Sequence, residues 1–192
     1  MSPTPSQDGL PIPQRYGAII TIASGIMMAV LDGAIANVAL PAIARELNAS
    51  PAESIWIVNA YQIAIVISLL SLSFIGDMLG YRRVYQVGLG LFIATSLFCA
   101  LSSSLNMLTV ARILQGFGGA ALMSVNTALI RIIYPQRFLG RGMAINSLIV
   151  AVSSAAGPTV AAAILSIASW KWLFLINIPL GIVALWLALR FL

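Results

Sequence analysis

The sequence contains no histidine, one cysteine and few charged residues, which make up 8% of its 192 residues. Without histidine there is no metal or haem ligation through imidazole and no Ser-His or Cys-His nucleophile pair. The single thiol, Cys99, lies in an apolar run and has no second cysteine for an intramolecular disulfide. We therefore expect a protein that is not an enzyme and that binds no metal or other cofactor.

Hydrophobic residues make up 60% of the chain, far more than in a soluble domain. They form six runs, each close to the roughly 20 residues that a helix needs to cross the hydrocarbon of a bilayer. The sequence therefore predicts an all-α integral membrane protein, a bundle of six transmembrane helices over residues 17–192. The predicted spans are 17–40, 54–76, 83–101, 107–130, 141–168 and 172–191.

The basic residues are distributed unequally between the two sides of this predicted bundle. Arg112 falls within the fourth run, and Arg45 and Lys171 face one side. The other side carries Arg15, Arg82, Arg83, Arg131, Arg137, Arg141 and Arg190. Short cytoplasmic connections of membrane proteins are enriched in Lys and Arg, so this second side is predicted to be cytoplasmic.

That orientation places both termini in the cytoplasm and the protein in the cell inner (cytoplasmic) membrane. Residues 1–16, polar and rich in proline, are predicted to be a flexible cytoplasmic tail. The net charge of +5 is spread between apolar runs rather than gathered in one patch. We therefore expect a lipid bilayer around the chain and no nucleic acid partner.

A short charged segment, GDMLGYRRVY from Gly76, joins the second and third runs. Its glycines permit a tight connection and its charges keep it out of the bilayer. The segment resembles the G-D-x-x-G-R-[RK] loop of the major facilitator superfamily. In that family the loop contacts the opposing bundle, so the resemblance implies a conformational latch; the simpler alternative is a charged turn that only sets orientation. The latch residues are Gly76, Asp77, Gly80, Arg82 and Arg83.

Three further segments resemble the drug:proton antiporter branch of this superfamily with fourteen spanning helices. They are LDGAIANVALP from Leu31, WIVNAYQ from Trp56 and WKWLFLINIPLG from Trp170. A fourth segment, ARILQGFGG from Ala111, resembles the R-x-x-Q-G segment of the family. The fifth run carries SSAAGPTVAA, which is similar to the antiporter signature around Gly157 and Pro158 and implies a bend with close packing. The resemblance implies the N-terminal half of a major facilitator fold, built from two inverted three-helix repeats.

Asp32 and Arg112 are the charges placed deepest in the predicted bundle. At 1.5 Å per residue, Asp32 lies about 12 Å and Arg112 about 9 Å below the outer face. An isolated charge at the centre of a bilayer costs roughly 2.5–3.5 kcal/mol, which a mutual pair lowers. We expect the two to form a proton-coupling pair, with Asp32 as proton carrier, and a cationic cargo to compete directly for that carboxylate. Snorkelling of Arg112 to the head groups and wetting of Asp32 are the alternatives.

Polar side chains inside the apolar runs are candidates for a substrate cavity. Interhelical hydrogen bonding is an equally good explanation for each of them. The candidates are Asn37, Asn59, Tyr61, Gln62 and Gln115.

These observations predict the N-terminal half of a proton-coupled multidrug exporter of amphipathic, often cationic compounds. Its expected partners are small-molecule substrates, protons, and a C-terminal bundle or a second copy of the chain. The alternative is a six-helix membrane module that associates with itself and transports nothing.

Overall fold

Six long apolar helical segments cross the molecule from end to end in the computed structural model, which describes residues 8–192. Helix α1 spans Ile12–Glu46; α2 (Pro51–Ser54) and α3 (Trp56–Leu79) form the second segment. The third is α4 (Tyr81–Ala100) and the fourth is α5 (Leu105–Ile133). A short 3-10 turn, Gln136–Phe138, leads to α6 (Leu139–Leu165), and α7 (Lys171–Leu175) with α8 (Asn177–Phe191) forms the sixth. The predicted all-α six-span bundle is confirmed.

The packing repeats itself between the two halves of the chain. Helix α3 packs against α5 as α6 packs against α1, and α4 packs against α5 as α8 packs against α1. The third members of the halves, α4 and α8, also pack against each other. This exchange of equivalent partners is the pattern expected of two three-helix repeats related by a pseudo-two-fold axis.

The helices differ from the predicted spans at two prolines, which have different effects on the backbone. The first predicted span ends at residue 40, but α1 continues through Pro41 to Glu46. Only one backbone hydrogen bond is lost there, and such a loss is tolerated in spanning helices. Pro179 has the larger effect, because it leaves the Leu175 carbonyl without its helical donor. The sixth span is accordingly interrupted at Ile176.

The start of the chain also differs from the predicted tail of residues 1–16, of which 1–7 lie outside the described residues. The first helix begins at Ile12 rather than at residue 17. Before it, the Leu10 amide donates to the carbonyl of Ile133, and Asp8 accepts from the amide of Gln136. Residues 8–16 are thus docked on the end of α5 instead of forming a flexible tail, because these backbone groups find partners there.

Small residues bring α5 close to its neighbours on two sides. A Cβ at Gly116 would lie 2.7 Å from the Ala64 side chain and the Tyr61 carbonyl oxygen of α3. A Cβ at Gly118 would lie 2.8 Å from the Phe92 amide nitrogen of α4. The first contact is with α3, whereas the second is with α4 on another side of α5. Without such residues the backbones could not approach this closely.

Candidate functional site

The centre of the bundle holds an ion pair between Asp32 of α1 and Arg112 of α5. The Nη1 atom of Arg112 donates to Oδ2 of Asp32, and both side chains are almost wholly buried. The depth argument placed these two residues at one level, and the structure brings them into contact. Neither the snorkelling of Arg112 nor the wetting of Asp32 occurs in this arrangement.

Two amides complete the surroundings of the Asp32 carboxylate. Its Oδ1 accepts from Nε2 of Gln115 at 3.1 Å and from Nδ2 of Asn177 at 2.8 Å. Ser96 of α4 lies behind them and accepts from Nε2 of Gln115 at 2.8 Å. The carboxylate therefore accepts three hydrogen bonds, from α5 twice and from α8 once.

Arg112 is held by partners other than Asp32 as well. Its Nη1 also donates to Oε1 of Gln115 at 2.6 Å, and its Nε donates to the carbonyl of Ile57 at 3.3 Å. The guanidinium carbon lies 4.0 Å from the centre of the Tyr61 ring, which is a cation–π contact. Only its Nη2 lacks a hydrogen-bond partner among residues 8–192. The charge is therefore compensated mainly by the carboxylate, and protonation of Asp32 would leave it without its counter-ion.

Tyr61 separates this pair from an open pocket on the face of the bundle. Its ring covers the guanidinium, and its hydroxyl donates to the carbonyl of Ala29 at 3.0 Å. Asp32 is 3% exposed and does not line the pocket. In this conformation the pocket and the Asp32 carboxylate are separated by Tyr61 and α1, so direct competition of a cationic cargo for Asp32 stays a prediction that requires these groups to move.

The pocket has a volume of about 290 Å³ and a neutral lining. Helices α1, α3, α5 and α6 all contribute to it. Its lining residues are Ala29, Val30, Gly33, Ala34, Asn37, Tyr61, Gln62, Ile65, Met123 and Ser154. With two amides, two hydroxyls and otherwise apolar groups, it suits an amphipathic molecule that forms a few hydrogen bonds.

The residues predicted for a substrate cavity separate into three groups. Asn37, Tyr61 and Gln62 line the pocket. Asn59 is exposed near the start of α3 and is not among the lining residues. Gln115 is fully buried beside Asp32 and belongs to the charged cluster instead. Its assignment to the cavity is corrected, because its face of α5 is directed at the interior of the bundle.

The latch residues lie at helix ends rather than in a loop, because Gly80 alone interrupts the two helices. Gly80 has φ +94°, which a side chain would disfavour, and it joins α3 directly to α4. Asp77 does not pair with either neighbouring arginine in the described part of the chain; it accepts a hydrogen bond from the hydroxyl of Tyr81. Arg82 instead donates to the carbonyl of Leu189 at 3.1 Å.

Gly157 and Pro158 lie in α6 where this helix approaches α1. A Cβ on Gly157 would come within 2.4 Å of the Ala34 side chain, so glycine is required for the approach. Pro158 remains inside the helix and is exposed. This is the close packing that the resemblance implied for the segment.

Asn177 and Ser96 are site residues that the sequence reasoning missed. The motif that contains Asn177 gives this residue no role of its own, although its depth in the bundle indicates one. It lies six residues after Lys171, about 9 Å below the outer face at 1.5 Å per residue, which is the level of Arg112. Ser96 offers no comparable signal, since serine is common in spanning helices and usually bonds its own backbone.

The model of the Major Facilitator Superfamily matches residues 22–192 of this chain. The chain belongs to this superfamily. Its members among the relatives are transporters, and the multi-pass membrane character follows from the six spans.

Three relatives differ in what their names say of cargo. The "Uncharacterized transporter YebQ" of Escherichia coli (strain K12) is 79% identical over 99% of this chain and 42% of the relative. The "Riboflavin transporter RibZ" of Clostridioides difficile (strain 630) is 32% identical over 93% of this chain and 39% of the relative. The "Tetracenomycin C resistance and export protein" of Streptomyces glaucescens is 36% identical over 88% of this chain and 32% of the relative. The chain thus spans 32% to 42% of these relatives' lengths.

A solved structure shares the fold. A bacterial homologue of the human lysosomal transporter Spinster, in an inward-facing and unoccupied conformation, superimposes with a TM-score of 0.73. The match covers 95% of this chain and 43% of that one at 15% identity. At this identity the likeness concerns the fold alone.

Proposed function

We propose that this chain is the N-terminal six-span half of a proton-coupled multidrug exporter. The exporter takes up amphipathic, often cationic compounds and exchanges them for protons. The observation that carries the proposal is the buried Asp32–Arg112 ion pair directly behind a neutral pocket. Coupling of a proton to a cargo requires an acid that is buried, paired with a counter-ion and adjacent to the cargo site.

The coupling follows from the charge balance of the buried cluster. With Asp32 charged, the pair is neutral and its hydrogen bonds are satisfied apart from Nη2 of Arg112. A proton on Asp32 leaves a buried guanidinium without its counter-ion, which is strongly unfavourable. The protonated state therefore favours a conformation in which water or another acceptor reaches Arg112. The two protonation states thus prefer different conformations.

In this proposal, cargo affects Asp32 first through Tyr61 and not by direct contact. Tyr61 lines the pocket, and its ring also covers the guanidinium of Arg112. A cargo that displaces Tyr61 would uncover the ion pair and change its access to water. The amphipathic class is supported by the mixed pocket lining and by the tetracenomycin C export protein among the relatives.

The remaining partners and the placement of the chain are part of the same proposal. A transport path between two bundles requires a second bundle, either a C-terminal one or a second copy. The arginine-rich ends of the helices face the cytoplasm of the inner membrane, with both termini on that side. Lys171 and Glu46, whose charged atoms lie 3.8 Å apart, mark the opposite face.

Asp32→Asn in the full-length protein that contains this chain tests the proposal. We expect proteoliposomes carrying the variant to lose cargo flux driven by a pH gradient, because the amide cannot carry a proton. Exchange of labelled cargo across membranes without a gradient should persist. Ethidium and a neutral amphipathic dye serve as cargo probes, and flux is measured from their fluorescence.

Asp8→Asn is the matched control, since Asp8 is an acid outside the bundle that accepts a backbone hydrogen bond. It should retain flux driven by the gradient. Retention of that flux in Asp32→Asn would refute the proton-carrier role. Absence of any flux in the wild type, together with a stable dimer in detergent, would favour the self-associating module.

Gln62→Leu is expected to change cargo selection without changing coupling. The Gln62 side chain lines the pocket, and its loss removes a hydrogen-bonding group from the cargo surface. We expect the KM for a hydrogen-bonding cargo to rise about tenfold, as one lost hydrogen bond implies. The flux of an apolar dye and the pH midpoint should stay as in the wild type. The matched variant Asn59→Leu removes an exposed amide of the same helix outside the pocket and should leave the KM unchanged.

A further inference from the structure

Helix α8 is bound at its first residue to the buried acid. Asn177 is 3% exposed, and its Nδ2 donates to Oδ1 of Asp32 at 2.8 Å. The same nitrogen lies 3.5 Å from Oγ of Ser96 on α4. Asn177 is thus the group through which the sixth span contacts the carboxylate.

The other end of α8 is bound to the latch. The last carbonyls of a helix have no donor within the helix. Here Nε2 of Gln86 donates to the carbonyl of Ala188 at 2.9 Å, and Nη2 of Arg82 donates to that of Leu189 at 3.1 Å. Both donors come from the first turns of α4, next to Gly80. A cation at this position is also favoured by the helix dipole.

The two ends are joined by one uninterrupted helix, which packs against α1 and α4. Its 15 residues span about 21 Å at 1.5 Å per residue. The interruption at Ile176 separates it from α7, and Pro179 prevents the two from forming one continuous helix. One turn into α8, a Cβ on Gly181 would lie 2.4 Å from the Ile93 side chain, so the absence of a side chain lets α8 pack closely against α4.

Protonation of Asp32 must weaken the hydrogen bond between Asn177 and the carboxylate. The oxygen that accepts from Asn177, Oδ1, also accepts from Gln115. Hydrogen bonds to a charged acceptor are about twice as strong as those to a neutral one. Once the acid is neutral, the hold of Asn177 on α1 is correspondingly weaker.

We propose that α8 is a rod that couples the protonation of Asp32 to the docking of Arg82 at the latch, with Asn177 as the positioning residue. The inference rests on the proposed function, in which Asp32 carries the proton. With Asp32 charged, both ends of α8 are bound. With Asp32 protonated, α8 is released at Asn177, and its shift withdraws the carbonyls from Arg82 and Gln86.

The other ionisable groups around each end are few. Arg112 from α5, Tyr61 from α3 and Cys99 from α4 face Asp32. No charged side chain of α6, α7 or α8 contacts it in the part of the chain that the structure describes. At the far end, the charged groups are Arg82 and the α8 residue Arg190, whose guanidinium lies over Trp186. Arginine does not titrate, so Asp32 is the switch between the two states.

Hydrogen–deuterium exchange of residues 186–192 tests the coupling in the full-length protein. After correction for the intrinsic pH dependence of exchange, we expect acidification to speed exchange of this segment about tenfold, as the weakening of one charged hydrogen bond implies. In Asp32→Asn and in Asn177→Leu, exchange should be fast at every pH. Asn126→Leu is the matched control, because it removes a buried amide of α5 that donates to Asn146 and not to Asp32, and it should keep the pH response of residues 186–192. A wild-type pH response in Asn177→Leu or in Asp32→Asn would overturn the inference.

A second pair of variants tests the reverse direction and does not disturb the core. Coupling between two sites is reciprocal, so loosening α8 at the latch must change the proton affinity at Asp32. Arg82→Ala should move the pH midpoint of cargo exchange to higher pH by about one unit. Arg83→Ala removes a neighbouring charge that lines a pocket with residues of α3, α4 and α5 and forms no side-chain hydrogen bond to α8 among residues 8–192, so it should leave the midpoint unchanged. Equal midpoints in Arg82→Ala and the wild type would overturn the inference. If cargo flux stays pH-dependent in Asp32→Asn, the proposed function fails. Hydrogen exchange of residues 186–192 then still tests whether α8 couples Asp32 to Arg82.

Discussion

Arg112→Leu is expected to lower the free energy of unfolding by about 3–5 kcal/mol, because it leaves the Asp32 carboxylate buried without its counter-ion. The substitution also removes the hydrogen bonds that Arg112 donates to Oε1 of Gln115 and to the carbonyl of Ile57. The measurement is equilibrium unfolding of the protein in detergent micelles, followed by the loss of helical circular dichroism.

The double variant Asp32→Asn with Arg112→Leu separates the charge from the packing. If the unpaired charge causes the loss, the double variant should be more stable than Arg112→Leu alone. Arg83→Leu is the control, since Arg83 is exposed and forms no ion pair among residues 8–192; it should change stability by no more than about 0.5 kcal/mol. A double variant less stable than both single ones would show that Arg112 acts through shape rather than charge.

Gly118→Ala and Gly90→Ala are expected to change stability in opposite directions, although the substitution is the same. At Gly118 the added Cβ would lie 2.8 Å from the Phe92 amide nitrogen and 3.0 Å from the Gly88 carbonyl oxygen. These are backbone atoms of α4 and cannot rotate away, so the helices must separate. Overpacking of this kind costs about 1–3 kcal/mol.

Gly90 is the matched control within the neighbouring helix. A Cβ there meets nothing within 4 Å, and alanine stabilises a helix interior by about 0.5–1 kcal/mol relative to glycine. Thermal unfolding in one detergent compares the two variants. A loss at Gly90 equal to the loss at Gly118 would mean that glycine matters here for helix flexibility and not for the α4–α5 contact.

For Asn177 and Gln115, the sequence indicates the depth in the bundle but not the direction of the side chain. Asn177 lies at the level of Arg112 and Gln115 about 4.5 Å deeper, so depth alone places both amides near the ion pair. Depth does not say which way a side chain faces around its helix. Gln115 was accordingly assigned to the cavity, while Asn177, after the interruption at Ile176, was not assigned at all.

The sequence by itself determined the number of spans, the asymmetry of positive charge and the shared depth of Asp32 and Arg112. These follow from hydrophobic length, composition and a constant rise per residue, which are local properties. Only the tertiary structure decided that Tyr61 shields the pair from the pocket, that Asp77 and Arg82 have different partners, and that α8 joins the acid to the latch. Those contacts depend on the rotation and relative height of packed helices, which arise from many weak contacts between residues far apart in the chain.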